Sequence, residues 1–231
     1  MKINRLDWDS EFFGLRIGRV EIVSEEDAYA LAVQRDLLKN DFDLIYVFAN
    51  HGLGFFGADA KKVDEKVVYV LSGNPCLEPH DNVVLWNDNK GVTDDLLHLA
   101  LISGKYSRFR LDERFPFGSY ERLYSRWIEQ SVNHTIASEV FCYMVGEVPR
   151  GLATLDRKNY NGTIGLVAVH DGFQQRGIGT TIIQQVIHYA QKQRCRRLTV
   201  ATQLENVSAC KLYEKCGFQV DSVTDVWHWW I

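Results

Sequence analysis

The stretch from Thr163 to Phe218 constrains the fold more than any other part of this 231-residue chain. Thr163 to His170 is a short apolar run with a β-branched flavour and predicts a strand. It leads into Asp171-Gly172-Phe173-Gln174-Gln175-Arg176-Gly177-Ile178-Gly179-Thr180. Ile182, Ile183, Val186, Ile187 and Ala190 then recur at the spacing of one buried helical stripe. Arg197 to Gln203 reads as a second strand, and Ser208 to Cys216 as a short helix stopped by Gly217.

A glycine-bearing loop between a strand end and a helix start can leave several backbone N–H groups unpaired and aimed one way. With the positive end of the helix dipole they form an anion site. Gly177 and Gly179 lack Cβ, which allows close approach of a diphosphate, and Arg176 adds a positive charge at the rim. The spacing is neither G-x-x-x-x-G-K-[ST] nor G-x-G-x-x-G; from Gln174 to Gly179 it is Q-x-x-G-x-G. Taken alone, such a loop is equally consistent with a simple turn of the chain.

With the strand before it and Asn206 and Tyr213 after it, the segment resembles the acetyl-CoA-binding core of the GCN5-related N-acetyltransferases. The resemblance implies an α/β fold: a mixed, mostly antiparallel twisted sheet with flanking helices. It implies that acetyl-CoA is the cosubstrate and that no metal is needed. Its diphosphate would lie on Phe173, Gln174, Gln175, Arg176, Gly177, Ile178, Gly179 and Thr180. Its pantetheine arm would lie along Leu166, Val167 and Val169, whose strand splays from its neighbour. Asn206 would bond the coenzyme, although an Asn before a helix is equally natural as its N-cap. Tyr213, seven residues on and so on the same helical face, would give a proton to the departing sulfur; a core tyrosine is the alternative. Residue types offer Glu139, His134, His170 and His51 as bases, and no spacing singles one out.

A net charge of −4 argues against a sequence-independent nucleic-acid binder, which would carry a basic face, and still permits a local basic pocket for a nucleotide. Five cysteines (Cys76, Cys142, Cys195, Cys210, Cys216) form no C-x-x-C pair and suit reduced thiols. No apolar run nears the ~20 residues that cross a bilayer, and Asp7 and Asp9 stand where a signal peptide needs an apolar core. The expected setting is cytoplasmic, without membrane insertion.

The first hundred residues read as a smaller N-terminal α/β unit, giving domains 1–102 on the acceptor side and 103–231 for acetyl-CoA. Strands are expected at Ile17–Val23, Leu44–Phe48 and Lys66–Leu71, with a helix from Glu25 to Leu38 capped by Ser24. Asn74 to Lys90 reads as a linker or edge strand. Thr93–Ile102 and Ser119–Val132 read as helices, Val140–Val145 and Pro149–Leu155 as a hairpin. Phe218–Ser222 and Val226–Trp230 read as a final antiparallel pair. The tryptophans of that last strand leave room for a homodimer.

A closer resemblance rests on Trp8-Asp9-Ser10-Glu11-Phe12-Phe13-Gly14, Ser107-Arg108-Phe109, and Val200 to Gln203 followed by Asn206. Together these are similar to the TDP-fucosamine acetyltransferases. That implies a nucleotide-sugar substrate, dTDP-4-amino-4,6-dideoxygalactose, acetylated on its amino group by direct attack on the thioester. Arg108, Arg110 and Arg114, interleaved with aromatics, suit a bulky anionic acceptor. The alternatives are another amine (a protein N-terminus, a polyamine, an antibiotic) or a non-catalytic coenzyme A sensor.

Overall fold

The computed structural model describes residues 2–73, 78–86 and 88–231. Its strands are β1 (Asn4–Arg5), β2 (Ile17–Ile22), β3 (Leu44–Asn50), β4 (Ala60–Ser72), β5 (Val83–Leu85), β6 (Glu139–Val145), β7 (Val148–Lys158), β8 (Asn161–Val169), β9 (Arg197–Gln203) and β10 (Gln219–Trp230). They form one sheet in the order β1-β2-β3-β10-β4-β9-β8-β7-β6-β5. Only β2–β3 and β8–β9 are parallel neighbours; the rest pair antiparallel, as expected for this fold class.

The stripe read from the sequence forms α7 (Ile178–Lys192). Ile182, Ile183, Val186 and Ile187 are buried against Val67 and Tyr69 of β4, Leu198 and Val200 of β9, and α8 (Val207–Lys215). Each such side chain contributes about 1.5–3 kcal/mol on burial. A second core joins α1 (Asp7–Phe13), α4 (Asp94–Ser103) and α6 (Ser119–Val132) to Val140, Leu152, Leu166 and Ala168. The third packs Leu31 of α2 (Glu25–Ala32) onto Val20, Ile22, Ile45, Val47 and Trp229.

Three expectations are corrected. The helix from Glu25 to Leu38 is two pieces, α2 and α3 (Arg35–Leu38). Arg35 uses the change of direction to donate to Asp59 and to the Trp230 carbonyl. The last antiparallel pair is instead one strand, β10, with irregularities between Val220 and Ser222 and between Val226 and Trp227. It pairs with β3 on one side and β4 on the other, so it has no free edge through which a second copy could add. The sheet does not part at the boundary expected after residue 102. β4 lies between β9 and β10, β5 pairs with β6, and α4 packs on β7 and β8.

Within the expected linker, Val83–Leu85 is an edge strand, while residues 74–77 and 87 lie outside the described residues. Cys142, Cys195, Cys210 and Cys216 are free thiols; Cys76 falls outside the described residues. Among the described residues no helix is long and apolar enough to cross a membrane.

Candidate functional site

The site begins where two parallel strands separate. β8 pairs with β9 from Asn161–Arg197 to Ile164–Val200. Beyond that point β9 continues on β4 as far as Gln203, and β8 continues on β7 as far as Val169. A bulge marks the parting, because Thr154 faces Gly165 and Leu166 between the Ala153–Val167 and Leu155–Ile164 pairs. The Leu166 N–H donates to Thr154 Oγ1 at 2.9 Å, buried. A Cβ on Gly165 would stand 2.7 Å from that oxygen, so the bulge requires glycine. Backbone groups alternate in direction along a strand, so those of Val167 and Val169 face the opening and that of Leu166 does not. Leu166 also lines the cleft, but its amide is held by Thr154 and its side chain packs in the second core.

At the open end of β8 the chain makes a 3-10 turn over Asp171–Phe173. Gln174 Nε2 donates to the Val169 carbonyl and to Asp171 Oδ1, both at 3.0 Å, and so braces the loop from within. Gln175 and Gly177 adopt left-handed φ of 61° and 82°, turning the loop into α7. Thr181 N–H is the first in α7 to find an intrahelical acceptor, the Gly177 carbonyl. Among the described residues, the amides from Gln175 to Thr180 have no backbone acceptor, as a helix start dictates. Gln175, Gly177, Ile178, Gly179 and Thr180 line the cleft, as do Phe173 and Gln174. A Cβ on Gly179 would come 3.3 Å from Leu212 Cδ2, so this glycine also sets how closely α7 meets α8. Arg176 is displaced from its expected place. Its guanidinium lies 5.2 Å from the Phe173 ring centre, and it does not line the cleft.

Asn206 and Tyr213 both line the same cleft. Asn206 is an N-cap: its Oδ1 accepts from Ala209 N–H at 3.2 Å. That leaves the amide nitrogen for a ligand, so the two readings of this residue are compatible. Tyr213 is 3% exposed, packed near Tyr69 and Phe218. Burial raises its pKa well above the usual phenol value. Among the described residues no protein group hydrogen-bonds its hydroxyl, the arrangement a proton donor to a ligand needs.

The cleft, about 1060 Å³, continues past the parted strands to Trp8, Asp9, Phe48, Asp64, Lys66, Arg108 and Phe109. That is large for a single small ligand and roomy enough for two. Arg108 is presented by α5 (Arg108–Leu111), a four-residue helix. Its guanidinium lies 3.9 Å from the Tyr46 ring centre and 4.5 Å from that of Phe109. One nitrogen stands 3.0 Å from His228 Nε2, and His228 Nδ1 stands 2.7 Å from Asp112 Oδ2. Burial pulls Arg108 down from the usual guanidinium value, lowers Lys66 and raises Asp9. Burial also brings His228 to about 4. For Asp112, bonds from His228, Arg114 and Trp230 outweigh burial and hold the carboxyl far below its usual range.

Of the three arginines expected at the acceptor, only Arg108 lines the cleft. Arg114 binds Asp112 and lies over Trp230, and Arg110 donates to the Lys105 carbonyl beside Tyr120. None of Glu139, His134, His170 and His51 lines the cleft either. Glu139 accepts from the Tyr189 hydroxyl, His134 meets the Ser138 carbonyl, and His170 Nδ1 accepts from Gly172 N–H. His51 joins Asp225 and Glu65 in a cluster away from the cleft. There Lys62 Nζ, 2.8 Å from Glu65 and 3.2 Å from Asp225, supplies the positive charge.

Residues 106–218 match the model of the acetyltransferase (GNAT) family. The chain carries a GNAT domain. Over 230 residues it is 28% identical to a dTDP-fucosamine acetyltransferase of Escherichia coli O6:H1, covering 95% of this chain and 94% of the relative. It is 29% identical over 140 residues to the spore coat polysaccharide biosynthesis protein SpsD of Bacillus subtilis. That match covers 61% of this chain and 48% of SpsD, so the chain spans about half of that relative. A GCN5-related N-acetyltransferase from Sphaerobacter thermophilus shares the fold, with a TM-score of 0.55 and 14% identity over 92% of this chain and 73% of its own.

The GNAT match spans β8, the glycine loop and Tyr213, the stretches singled out in the sequence. The Arg108 end is different, because Asp9 of α1 and Asp64 and Lys66 of β4 precede the matched residues. Asp64 stands in a run of mixed charges, Lys61 to Lys66, that reads locally as a solvated strand face. No local signal separates it from its neighbours.

Proposed function

We propose that the protein transfers an acetyl group from acetyl-CoA to the amine of a nucleotide-linked amino sugar, dTDP-4-amino-4,6-dideoxygalactose, with Tyr213 as the acid. One observation carries this reading: a single cleft holds the unpaired amides of the loop, the Tyr213 hydroxyl and the Arg108 end. The amides from Gln175 to Thr180, at the positive end of α7, suit the coenzyme's diphosphate. The backbone of Val167 and Val169 suits the pantetheine arm, which would lie in the opening as an added strand. Bound there, acetyl-CoA supplies the thioester. Val167 N–H would then face the carbonyl oxygen, a donor worth about 3 kcal/mol of barrier. Tyr213 stays protonated across the working pH range and gives its proton as charge develops on sulfur. Residues 1–102 would supply much of the acceptor side through Trp8, Asp9, Phe48, Asp64 and Lys66. Arg108 and the aromatics beside it favour a bulky anionic acceptor over a polycation. The 28% identity to a dTDP-fucosamine acetyltransferase over nearly the whole chain supports the same acceptor class.

The test is thiol release from acetyl-CoA on addition of dTDP-4-amino-4,6-dideoxygalactose, with mass spectrometry of the product. One N-acetylated sugar nucleotide is expected per coenzyme A released. Release with a polyamine or a peptide N-terminus, and none with the sugar nucleotide, would refute the acceptor. Failure of acetyl-CoA to bind would refute the whole reading.

A further inference from the structure

We propose that Asp64 is the catalytic base, the group that takes a proton from the acceptor's ammonium so that the amine can attack. The assignment rests on the acetyl-transfer reading above and adds the residue which that reading lacks. Asp64 lines the cleft. Its Oδ1 is shielded from solvent and has no hydrogen-bond partner. A buried acceptor oxygen without a donor is costly, and a turn of the carboxylate that brings this oxygen to a substrate N–H removes the cost.

The surroundings set the proton affinity from both sides. Burial pushes Asp64 up to about 6, against the lowering effects of Arg108 from α5, the Gln203 side chain at the end of β9, and Lys66 on its own strand; Glu205 adds to the rise. Tyr124 of α6 also feels this carboxylate. An amine entering the same space meets Arg108 and Lys66, and two positive neighbours depress the pKa of a third cation. A free sugar amine resembles an α-amino group, near 8. The donor is lowered and the acceptor raised, which brings the two affinities together, as proton transfer between them requires.

The step balances as follows. The ammonium N–H bond breaks, its proton goes to an Asp64 oxygen, and the electron pair stays on nitrogen. That pair forms the N–C bond to the acetyl carbon while the C–S bond breaks. The sulfur leaves with the bonding pair and takes the Tyr213 proton. The amide nitrogen's excess proton returns to the Tyr213 oxygen through solvent, and Asp64 releases its own to water.

The experiment compares the parent with Asp64→Asn, using acetyl-CoA with the sugar nucleotide and a panel of primary amines. In the parent, kcat/KM should rise along an acid limb with an apparent pKa near about 6. The variant should lose that limb, lie about 100-fold or more below the parent at pH 7, and recover above pH 9, where the amine arrives already deprotonated. Calorimetry should find acetyl-CoA binding within twofold of the parent. A second readout needs no turnover: infrared difference spectra should show the Asp64 carboxyl titrating near pH 6 in the free protein. Should the Asn variant misfold, Asp64→Ser takes its place, and added formate should restore part of its rate.

An active parent whose variant keeps the acid limb overturns the role of Asp64 and leaves the transferase reading standing. So does a carboxyl that titrates below pH 5. A parent that binds acetyl-CoA but acetylates no amine overturns the reading, and the assignment with it.

Discussion

The bulge in β8 can be tested by removing one atom. Thr154→Val keeps the branched shape of the side chain and deletes the oxygen that accepts from Leu166 N–H at 2.9 Å. The bond is buried, so the amide gains no water in exchange, and an unpaired buried N–H costs about 1–3 kcal/mol. With a urea m-value of about 3 kcal/mol/M, the unfolding midpoint should fall by roughly 0.3–1 M. The orphaned amide has one nearby remedy, which is to re-pair with β7. That would slide β8 by a residue and turn the Val167 and Val169 groups out of the opening, since a one-residue slip exchanges the two sides of a strand. Acetyl-CoA should then bind at least tenfold more weakly by calorimetry. Thr154→Ser is the control: it keeps the hydroxyl, loses a methyl group worth about 1 kcal/mol, and should bind acetyl-CoA normally. Unfolding can be followed through the six tryptophans. If the Val variant unfolds at the parent's midpoint and binds acetyl-CoA as tightly, the Thr154 bond does not hold the bulge.

Three further outcomes are expected. Tyr213→Phe should lower kcat by about 100-fold and leave the acetyl-CoA Kd within twofold, and a kcat equal to the parent's would remove the acid role. Gly177→Ala puts a side chain at a φ of 82° and should cost about 1–2 kcal/mol, lowering Tm by several degrees in scanning calorimetry; an unchanged Tm contradicts the left-handed start of α7. His228 is fully buried and titrates near 4, below its unfolded value of 6.5. The unfolded chain therefore binds that proton first as pH falls, and stability is lost from about pH 6.5 down to about pH 4. Between pH 7 and pH 5 the loss should be roughly 2 kcal/mol. Urea unfolding at both pH values should reveal it, and His228→Gln should reduce it.

What could be read in advance follows from range. The α7 stripe, the loop and α8 are set by neighbours within a few residues, and they stand where the pattern put them. Thr224-Asp225 reads as a polar break between two short strands. Asp225 is instead buried in a continuous strand, held by His51, by Gly52 N–H and by Lys62. Those partners lie more than 150 residues away in sequence, and no local rule finds them. Arg35 is similar, since its turn out of α2 serves Asp59 and the Trp230 carbonyl. At the site, the glycine loop and the start of α7 follow from local pattern and line the cleft. The Arg108 end is assembled by α5 bringing Arg108 over Tyr46 of β3, and by β8 leaving β9 to open the space that Asp64 lines. Chain topology decides both, and residue spacing cannot express it.

The place of β10 bears on how the molecule is made. On the ribosome it is the last of these strands to emerge, yet β1, β2 and β3 meet the rest of the sheet only across it. Until it arrives, β3 and β4 each present a bare edge, and the nascent chain holds two half-sheets that no strand yet joins. The Arg108 end of the cleft, which leans on His228, is therefore finished only when translation has passed Trp230.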